Sequence, residues 1–105
     1  MYKIVFFVPE SHLEPVKTAV FNAGAGHLGH YDQCCWQVLG TGQFRPLAGS
    51  NSYIGELDKL ERLPEYRVEL VCEDAFIKAA IKAVRLAHPY EKPAVDIWRL
   101  EDVEI

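Results

Sequence analysis

The chain has 105 residues, which is the length of one domain and is enough to bury a core without disulfides or bound metal. Half of its residues are apolar and a quarter are charged, so its composition excludes a disordered segment. The formal net charge of -4 argues against nucleic acid or an anionic membrane surface as the main partner.

Cellular location and cysteine chemistry are also restricted. Residues 4–8 form the longest apolar run, which is too short to span a bilayer and is followed at once by Pro9. We therefore expect no transmembrane helix, no signal peptide and a cytoplasmic location. The three cysteines include no Cys-x-x-Cys pair, which argues against a disulfide framework or a self-contained zinc knuckle.

The first 26 residues predict a strand followed by a helix. Residues 2–8 are mostly β-branched or aromatic, which is typical of a central strand buried on both faces. Ser11 and Glu14 have the spacing of a capping box, and the following apolar residues share one stripe, so we predict a helix over about 12–23. Two glycines, at positions 24 and 26, then supply the left-handed conformations that end a helix.

The second strand is predicted over residues 34–40. Side chains alternate between its faces, so Cys35 must point away from the face that Cys34 and Trp36 share. Residues 41–65 then carry glycine or proline every few positions and predict a long loop, of which the mixed-charge end can extend the next strand as a hairpin arm. A loop of this length in a compact domain is usually functional or disordered.

The second half of the chain predicts another strand and helix. Residues 66–72 alternate clearly, and the side chains expected to face inward are those of Val68, Leu70 and Cys72. Glu73 or Asp74 is expected to cap a helix whose apolar stripe continues to His88.

Residues 94–100 predict the fourth strand, and residues 101–105 form an acidic tail or a short pairing segment. The order is that of a single ferredoxin-like βαββαβ domain over residues 1–105, an α+β fold with a four-stranded antiparallel sheet and both helices on one face.

The other sheet face stays open. Its expected side chains are Trp36 or Cys35, together with Val5, Phe7 and Trp98. Because an uncovered apolar face is typical of an interaction surface, we expect an oligomer.

Strand direction decides which loops can meet. The loop over residues 24–32 falls at one end of the sheet, which we call the bottom. The segment over residues 88–93 falls at the other end, the top, beside the long loop after the second strand. These two segments can therefore act together only across a subunit interface.

The segment at residues 88–96 places a histidine, a tyrosine and two carboxylates between two prolines. Pro89 ends the preceding helix and biases His88 away from helical geometry, so the side chains lie on a stiff polar connector of the kind on which sites are often built. His88 beside Glu91 or Asp96 would suit acid-base catalysis. No nucleophile, phosphate loop or dinucleotide fingerprint accompanies it.

Imidazole, thiolate and carboxylate groups provide a candidate metal site that would suit zinc or copper. The possible ligands are His27, His30, Cys34 or Cys35, His88 and Glu91. Each has another possible role: hydrogen bonding at a helix end for His27 and His88, and solvent exposure for His30. Cys34 can equally be a core residue.

Three motifs together resemble the middle domain of the NGG-interacting-factor family, of the YqfO and YbgI type. They are GAGHLGHYDQC at residues 24–34, GTGQFRP at 40–46 and HPYEKPAVD at 88–96. The likeness covers essentially the whole chain and implies a stand-alone version of that domain, which is similar in fold to CutA and to the PII signalling proteins. Those proteins are trimers. In that comparison residues 41–65 correspond in position to the PII ligand-binding loop, and residues 88–93 correspond to the second loop of the intersubunit cleft.

We therefore expect a homotrimer that is a binding or sensing protein rather than an enzyme, and that takes a small molecule or a divalent metal ion at the cleft between subunits. The residues expected to make polar contacts are His88, Tyr90 and Glu91. Those expected to close over from the long loop are Gly42, Phe44 and Arg45. The arginine would suit an anionic group.

Two further expectations follow. The candidate metal ligands in this scheme are His27, His30, Cys34 and His88, with Tyr31 beside them in a second candidate cluster. The alternative function is a metal-dependent hydrolase or a GTP cyclohydrolase-like activity, as proposed for longer members of the family. Such an enzyme should lose turnover on chelation, whereas a binding protein should show ligand-dependent stabilisation without turnover.

Overall fold

The computed structural model describes residues 1–103. In chain order its elements are β1 (Tyr2–Val8), α1 (Glu10–Asn22), β2 (Trp36–Phe44), β3 (Glu61–Cys72), α2 (Ile77–Ala87) and β4 (Val95–Arg99), with a short 3₁₀ helix, Asp74–Phe76, before α2. The strands are antiparallel in the order β2-β3-β1-β4. The predicted ferredoxin-like α+β fold is confirmed.

Two sequence expectations concern the acidic tail and membrane-spanning helices. Residues 104 and 105 of the predicted acidic tail lie outside the described residues. Within residues 1–103, no helix is long and apolar enough to cross a membrane.

The core lies between one face of the sheet and the two helices. Alternate residues of the central strands point into it, as predicted, and are almost fully buried: Ile4, Phe6 and Val8 from β1, and Val68, Leu70 and Cys72 from β3. The helices contribute Leu13, Val16, Val20, Ala80, Ile81 and Val84. Burying each large apolar side chain contributes about 1.5–3 kcal/mol, so this layer holds the helices against the sheet.

The other sheet face is uncovered in one subunit and carries two tryptophans. Trp36 lies opposite Glu69 on the neighbouring strand, and Trp98 lies opposite Lys3. Their side chains are 58% and 48% exposed. Cys35 packs against the core on the helix side, so of the two predicted alternatives it is Trp36 that lies on the open face.

The predicted capping box at the start of α1 is wrong. The helix begins at Glu10, with Pro9 as an extended N-cap residue (φ -67°, ψ 153°) and without a side-chain cap. The carbonyl of Pro9 accepts the backbone N–H of His12 at 3.0 Å. Since β1 ends at Val8, the chain turns into the helix at once, and Ser11 falls inside it.

Residues 41–65, for which the sequence predicts a long loop or a hairpin arm, begin and end in a hairpin arm. The β2–β3 pairing continues to Phe44 opposite Glu61, so the connecting loop covers only residues 45–60. The arm extends beyond the helices. Neither of its faces is therefore buried in the core, and no apolar alternation marks it in the sequence.

Candidate functional site

A cavity of about 310 Å³ opens at the top of the sheet, between the hairpin arm, the loop over residues 45–60 and the connector over residues 89–94. Its aromatic lining consists of Phe7, Phe44, Tyr53 and Tyr90, and its charged lining of Glu65, Glu91 and Lys92. We call it the arm pocket. A concave, mostly apolar site with a few convergent polar groups has the features of a small-molecule site.

Three rings form the walls of the arm pocket. The ring centroid of Tyr90 lies 6.3 Å from that of Phe44 and 6.2 Å from that of Tyr53, both in tilted orientations. Tyr53 in turn meets the ring of His12 edge-on at 5.9 Å, which ties the loop to the start of α1. Tilted pairs at these separations are favourable for aromatic rings, so the walls support one another.

The hydroxyl of Tyr90 is buried and has no hydrogen-bond partner among the described residues. Its pKa is raised, first by burial and then by the Glu65 carboxylate, through its negative charge and through hydrogen bonding with the hydroxyl, although the two groups do not meet in ordinary hydrogen-bond geometry. It therefore stays protonated at neutral pH and can both donate and accept a hydrogen bond. Buried polar groups in proteins are normally paired, so this hydroxyl is a candidate ligand contact.

The connector and the loop are joined directly at the pocket. The carboxylate of Glu91 accepts the backbone N–H of Asn51 at 3.0 Å. Within the loop, the backbone N–H of Asp58 donates to the Pro46 carbonyl at 2.7 Å. These bonds hold the loop over the pocket mouth.

Glu65 reaches the pocket because Gly42 has no side chain. A Cβ atom placed on Gly42 would lie 1.7 Å from a carboxylate oxygen of Glu65, so the Glu65 side chain folds across the glycine. Gly42 thus leaves the space that the side chain of Glu65 occupies. Sequence reasoning missed Glu65, since its position opposite Gly40 is evident only once β2 and β3 are known to pair along the arm.

The predicted ligand-binding residues are only partly brought together. Phe44, Tyr90 and Glu91 line the arm pocket, whereas Arg45 is exposed and does not line it. Of the two charged residues expected from the sequence, Glu91 lines the pocket and Arg45 does not, and Glu65 and Lys92 are the other charged residues of its lining.

His88 supports the site from beneath. It is 6% exposed, its Nε2 lies 2.6 Å from the Phe7 carbonyl, and its Nδ1 accepts the Tyr90 backbone N–H at 3.1 Å. A neutral ring protonated on Nε2 satisfies both bonds. Burial lowers the pKa of His88, and the bond to the Phe7 carbonyl opposes that shift. Both ring nitrogens are occupied, so the histidine positions Tyr90.

Because of this histidine, the protein should become less stable as the pH is lowered. In the unfolded chain a histidine titrates near pH 6.5, and in the folded protein the pKa of His88 is lower, so the unfolded state binds more protons between these two values. We expect the free energy of unfolding to decrease as the pH falls below about 6.5. Urea unfolding between pH 8 and pH 5 measures this. His88→Gln should flatten the dependence while the exposed-residue control His30→Gln keeps it; an unchanged slope in His88→Gln would contradict the assignment.

The glycine-rich loop over residues 24–34 is well fixed at the bottom of the sheet. The backbone N–H of Gly26 donates to the Val71 carbonyl at 2.8 Å, and that of Cys34 donates to the Gly26 carbonyl at 2.9 Å. Leu28 and Tyr31 exchange two backbone hydrogen bonds and are exposed. As strand direction predicts, this loop and the 88–93 segment lie at opposite ends of the subunit.

The candidate metal ligands are divided in the same way. His27 and His30 are exposed and Cys34 is half-buried at the bottom, whereas His88 is buried at the top. Within residues 1–103 of one subunit, no group of three or more histidine, cysteine or acidic side chains could hold a metal ion.

Comparison with known proteins gives two kinds of relative. No protein-family model matches the chain. A protein from Mycobacterium leprae named GTP cyclohydrolase 1 type 2 homolog is 47% identical over 98 residues, which are 93% of this chain and 26% of that protein. The Bacillus subtilis protein of the same name is 42% identical over 99 residues, covering 94% and 26%. The chain thus spans about a quarter of the length of the curated relatives it matches.

Two solved structures are similar to this chain over nearly its whole length. A Bacillus cereus protein related to NIF3 is 40% identical with a TM-score of 0.82, covering 96% of this chain and 26% of that one. CutA1 from Pyrococcus horikoshii is 15% identical, but it matches 99% of this chain over 87% of its own length with a TM-score of 0.71. The fold is CutA-like.

CutA from Archaeoglobus fulgidus, described as a periplasmic divalent cation tolerance protein, aligns with a TM-score of 0.68 at 15% identity, covering 99% of this chain and 88% of that one. At these identities the CutA-like comparison establishes the fold alone. The three sequence motifs predict a resemblance to one domain of a larger protein family. This is confirmed in part, because a NIF3-related protein contains a region that is 40% identical to this chain and closely similar in structure.

Proposed function

We propose that this CutA-like domain is a non-catalytic binding module that forms trimers and recognises a small molecule in the arm pocket. The observation that supports the proposal most is the pocket itself, which has three aromatic walls around a buried Tyr90 hydroxyl. That hydroxyl lies near the Glu65 carboxylate and makes no hydrogen bond of ordinary geometry within residues 1–103. Nothing in the arrangement resembles an activated nucleophile, because His88, the residue best suited to act as a base, uses both ring nitrogens in structural bonds.

The open sheet face supports the trimeric part of the proposal. It presents Trp36 and Val38 on β2 and Trp98 on β4, the two edge strands, and these side chains are between 43% and 58% exposed. The buried Val5 lies between them on β1. A soluble domain seldom leaves large apolar side chains uncovered at both edges of one sheet face, so a second copy is the natural cover. The resemblance to CutA and PII proteins supports three as the number of copies in this proposal.

A divalent ion such as zinc or copper is the alternative ligand. It is suggested by the description of the Archaeoglobus fulgidus neighbour as a divalent cation tolerance protein. Since residues 1–103 of a single subunit hold no cluster of three or more suitable groups, such an ion would take ligands from more than one subunit, with His27, His30 and Cys34 as the contribution of one.

The second candidate function is metal-dependent hydrolysis. It is favoured by one observation, the name GTP cyclohydrolase 1 type 2 homolog carried by relatives that are 47% and 42% identical to this chain. Only about a quarter of each relative corresponds to this domain. In our proposal, the activity of the whole relative resides in the other three quarters of its chain.

Ligand-dependent thermal stabilisation tests the proposal. A panel of planar heteroaromatic compounds and zinc and copper salts is screened with and without EDTA; a compound at a hundred times its Kd adds about 2.7 kcal/mol to the free energy of unfolding. We expect stabilisation that survives EDTA, without turnover of the compound. Tyr53→Ala should weaken binding about tenfold, because a stacking ring contributes about 1–3 kcal/mol.

Tyr31→Ala provides the matched control, since Tyr31 is an exposed tyrosine at the opposite end of the sheet. It should bind as the wild type does. Turnover that EDTA abolishes would instead establish the hydrolase, and stabilisation by metal salts alone would establish the ion as the ligand.

A further inference from the structure

The charged groups around the arm pocket indicate the kind of molecule that it accepts. They are two carboxylates, Glu65 and Glu91, and one ammonium group, Lys92, so one negative charge is in excess. Glu91 already holds the Asn51 N–H, and Lys92 is exposed to solvent. Glu65 is half-buried and takes part in none of the ion pairs of the described residues.

The neighbouring guanidinium does not neutralise this carboxylate. Arg67 follows Glu65 on the same face of β3, but its Nη2 lies 2.8 Å from the carboxylate of Glu69 and its guanidinium lies over the ring of Phe7 at 5.8 Å. The charge of Arg67 is therefore paired with Glu69, although Arg67 and Glu65 lie on the same open face of the sheet. Glu65 is left as a hydrogen-bond acceptor at the pocket, across Gly42 and near the Tyr90 hydroxyl.

The aromatic walls favour the same kind of ligand. The faces of Phe44, Tyr53 and Tyr90 carry negative electrostatic potential, which attracts planar rings edge-on or offset and attracts cations. The Tyr90 hydroxyl can meet either a ring nitrogen or an N–H group.

Resting on the proposed function, we infer that the arm pocket selects a planar heteroaromatic molecule that presents N–H donors to Glu65, as a neutral amine or as its cation. A molecule that places a carboxylate or phosphate at that position is rejected, because it would lie against an unneutralised carboxylate. Glu65 is the specificity-determining residue of the pocket.

Two ring-matched probes test the inference: 2-aminobenzimidazole, which offers N–H donors, and benzimidazole-2-carboxylate, which replaces the amine by an anion. Both are titrated into the full chain and followed by calorimetry and by NMR. We expect the amine to bind and the carboxylate to bind at least about tenfold more weakly. Glu65→Gln should weaken binding of the amine about tenfold or more, since a bond to a charged acceptor is lost.

Glu61→Gln is the matched control, because Glu61 lies on the same strand and face as Glu65 but outside the pocket lining. It should leave binding of the amine unchanged. Equal binding of both probes, or unaltered binding of the amine by Glu65→Gln, overturns the inference and leaves the arm pocket as a small-molecule site. Absence of binding by both probes, while other planar compounds stabilise the protein, likewise overturns the inference alone. Absence of binding by any planar compound overturns the proposed function as well.

Discussion

Replacing Trp36 by lysine and Trp98 by glutamate is expected to convert the proposed trimer into folded monomers. The two indoles are the largest exposed side chains of the open face, and removing a buried aromatic residue from an interface costs about 2 kcal/mol or more. Together the changes should weaken association about a thousandfold. The monomer should remain stable, since the new lysine lies opposite Glu69 and the new glutamate lies opposite Lys3.

Size-exclusion chromatography with light scattering measures the result, and circular dichroism checks the fold. Leu86→Lys is the matched control: Leu86 is 77% exposed on α2, away from the open face, and its loss should leave the oligomer intact. A double variant that keeps the mass of the wild type would exclude the open face as the interface.

Gly42→Ala is expected to weaken ligand binding at the arm pocket without unfolding the protein. The added methyl group would overlap the Glu65 carboxylate, and since that group is the end of a flexible side chain it can move aside at little cost. Alanine suits the extended backbone of β2 better than glycine does, so stability should be unchanged or rise by about 0.5–1 kcal/mol. Binding of 2-aminobenzimidazole should weaken about tenfold or more, as in Glu65→Gln.

Gly40→Ala separates this effect from that of any alanine on the strand. A Cβ atom on Gly40 meets only the Glu65 carbonyl oxygen at 3.9 Å, which is an ordinary contact. Calorimetry on both variants should show wild-type affinity for Gly40→Ala. If Gly42→Ala bound the probe as tightly as the wild type, the position assigned to Glu65 would be wrong.

The fold can be predicted from the sequence because local pattern and burial agree. The run from Tyr2 to Val8 and the alternation ending at Cys72 each identify one strand, and the burial of Ile81 and Val84 follows the apolar stripe of α2. These positions face one core, and the hydrophobic periodicity records that directly.

The site is less accessible to sequence reasoning, since its residues face no common core. Tyr90 and Glu91 stand out because they lie between prolines, but Glu65 lies on an arm whose strands carry no apolar alternation. The role of Gly42 depends on a contact across two strands, and glycine in a polar stretch predicts a loop equally well. His88 appears in the sequence as a ligand or a base, and only its two hydrogen bonds identify it as a buried support.

Native mass spectrometry tests the central claim most directly. Spectra are recorded of the protein as purified and with added 2-aminobenzimidazole, each before and after chelator treatment. It reports the number of chains and the retained ligand in one spectrum. We predict an assembly of three chains that carries up to three copies of the organic ligand, whether or not chelator has been used. A monomer without added mass, or a trimer whose only added mass is an ion that the chelator removes, would contradict a trimeric module that binds a small molecule in the arm pocket.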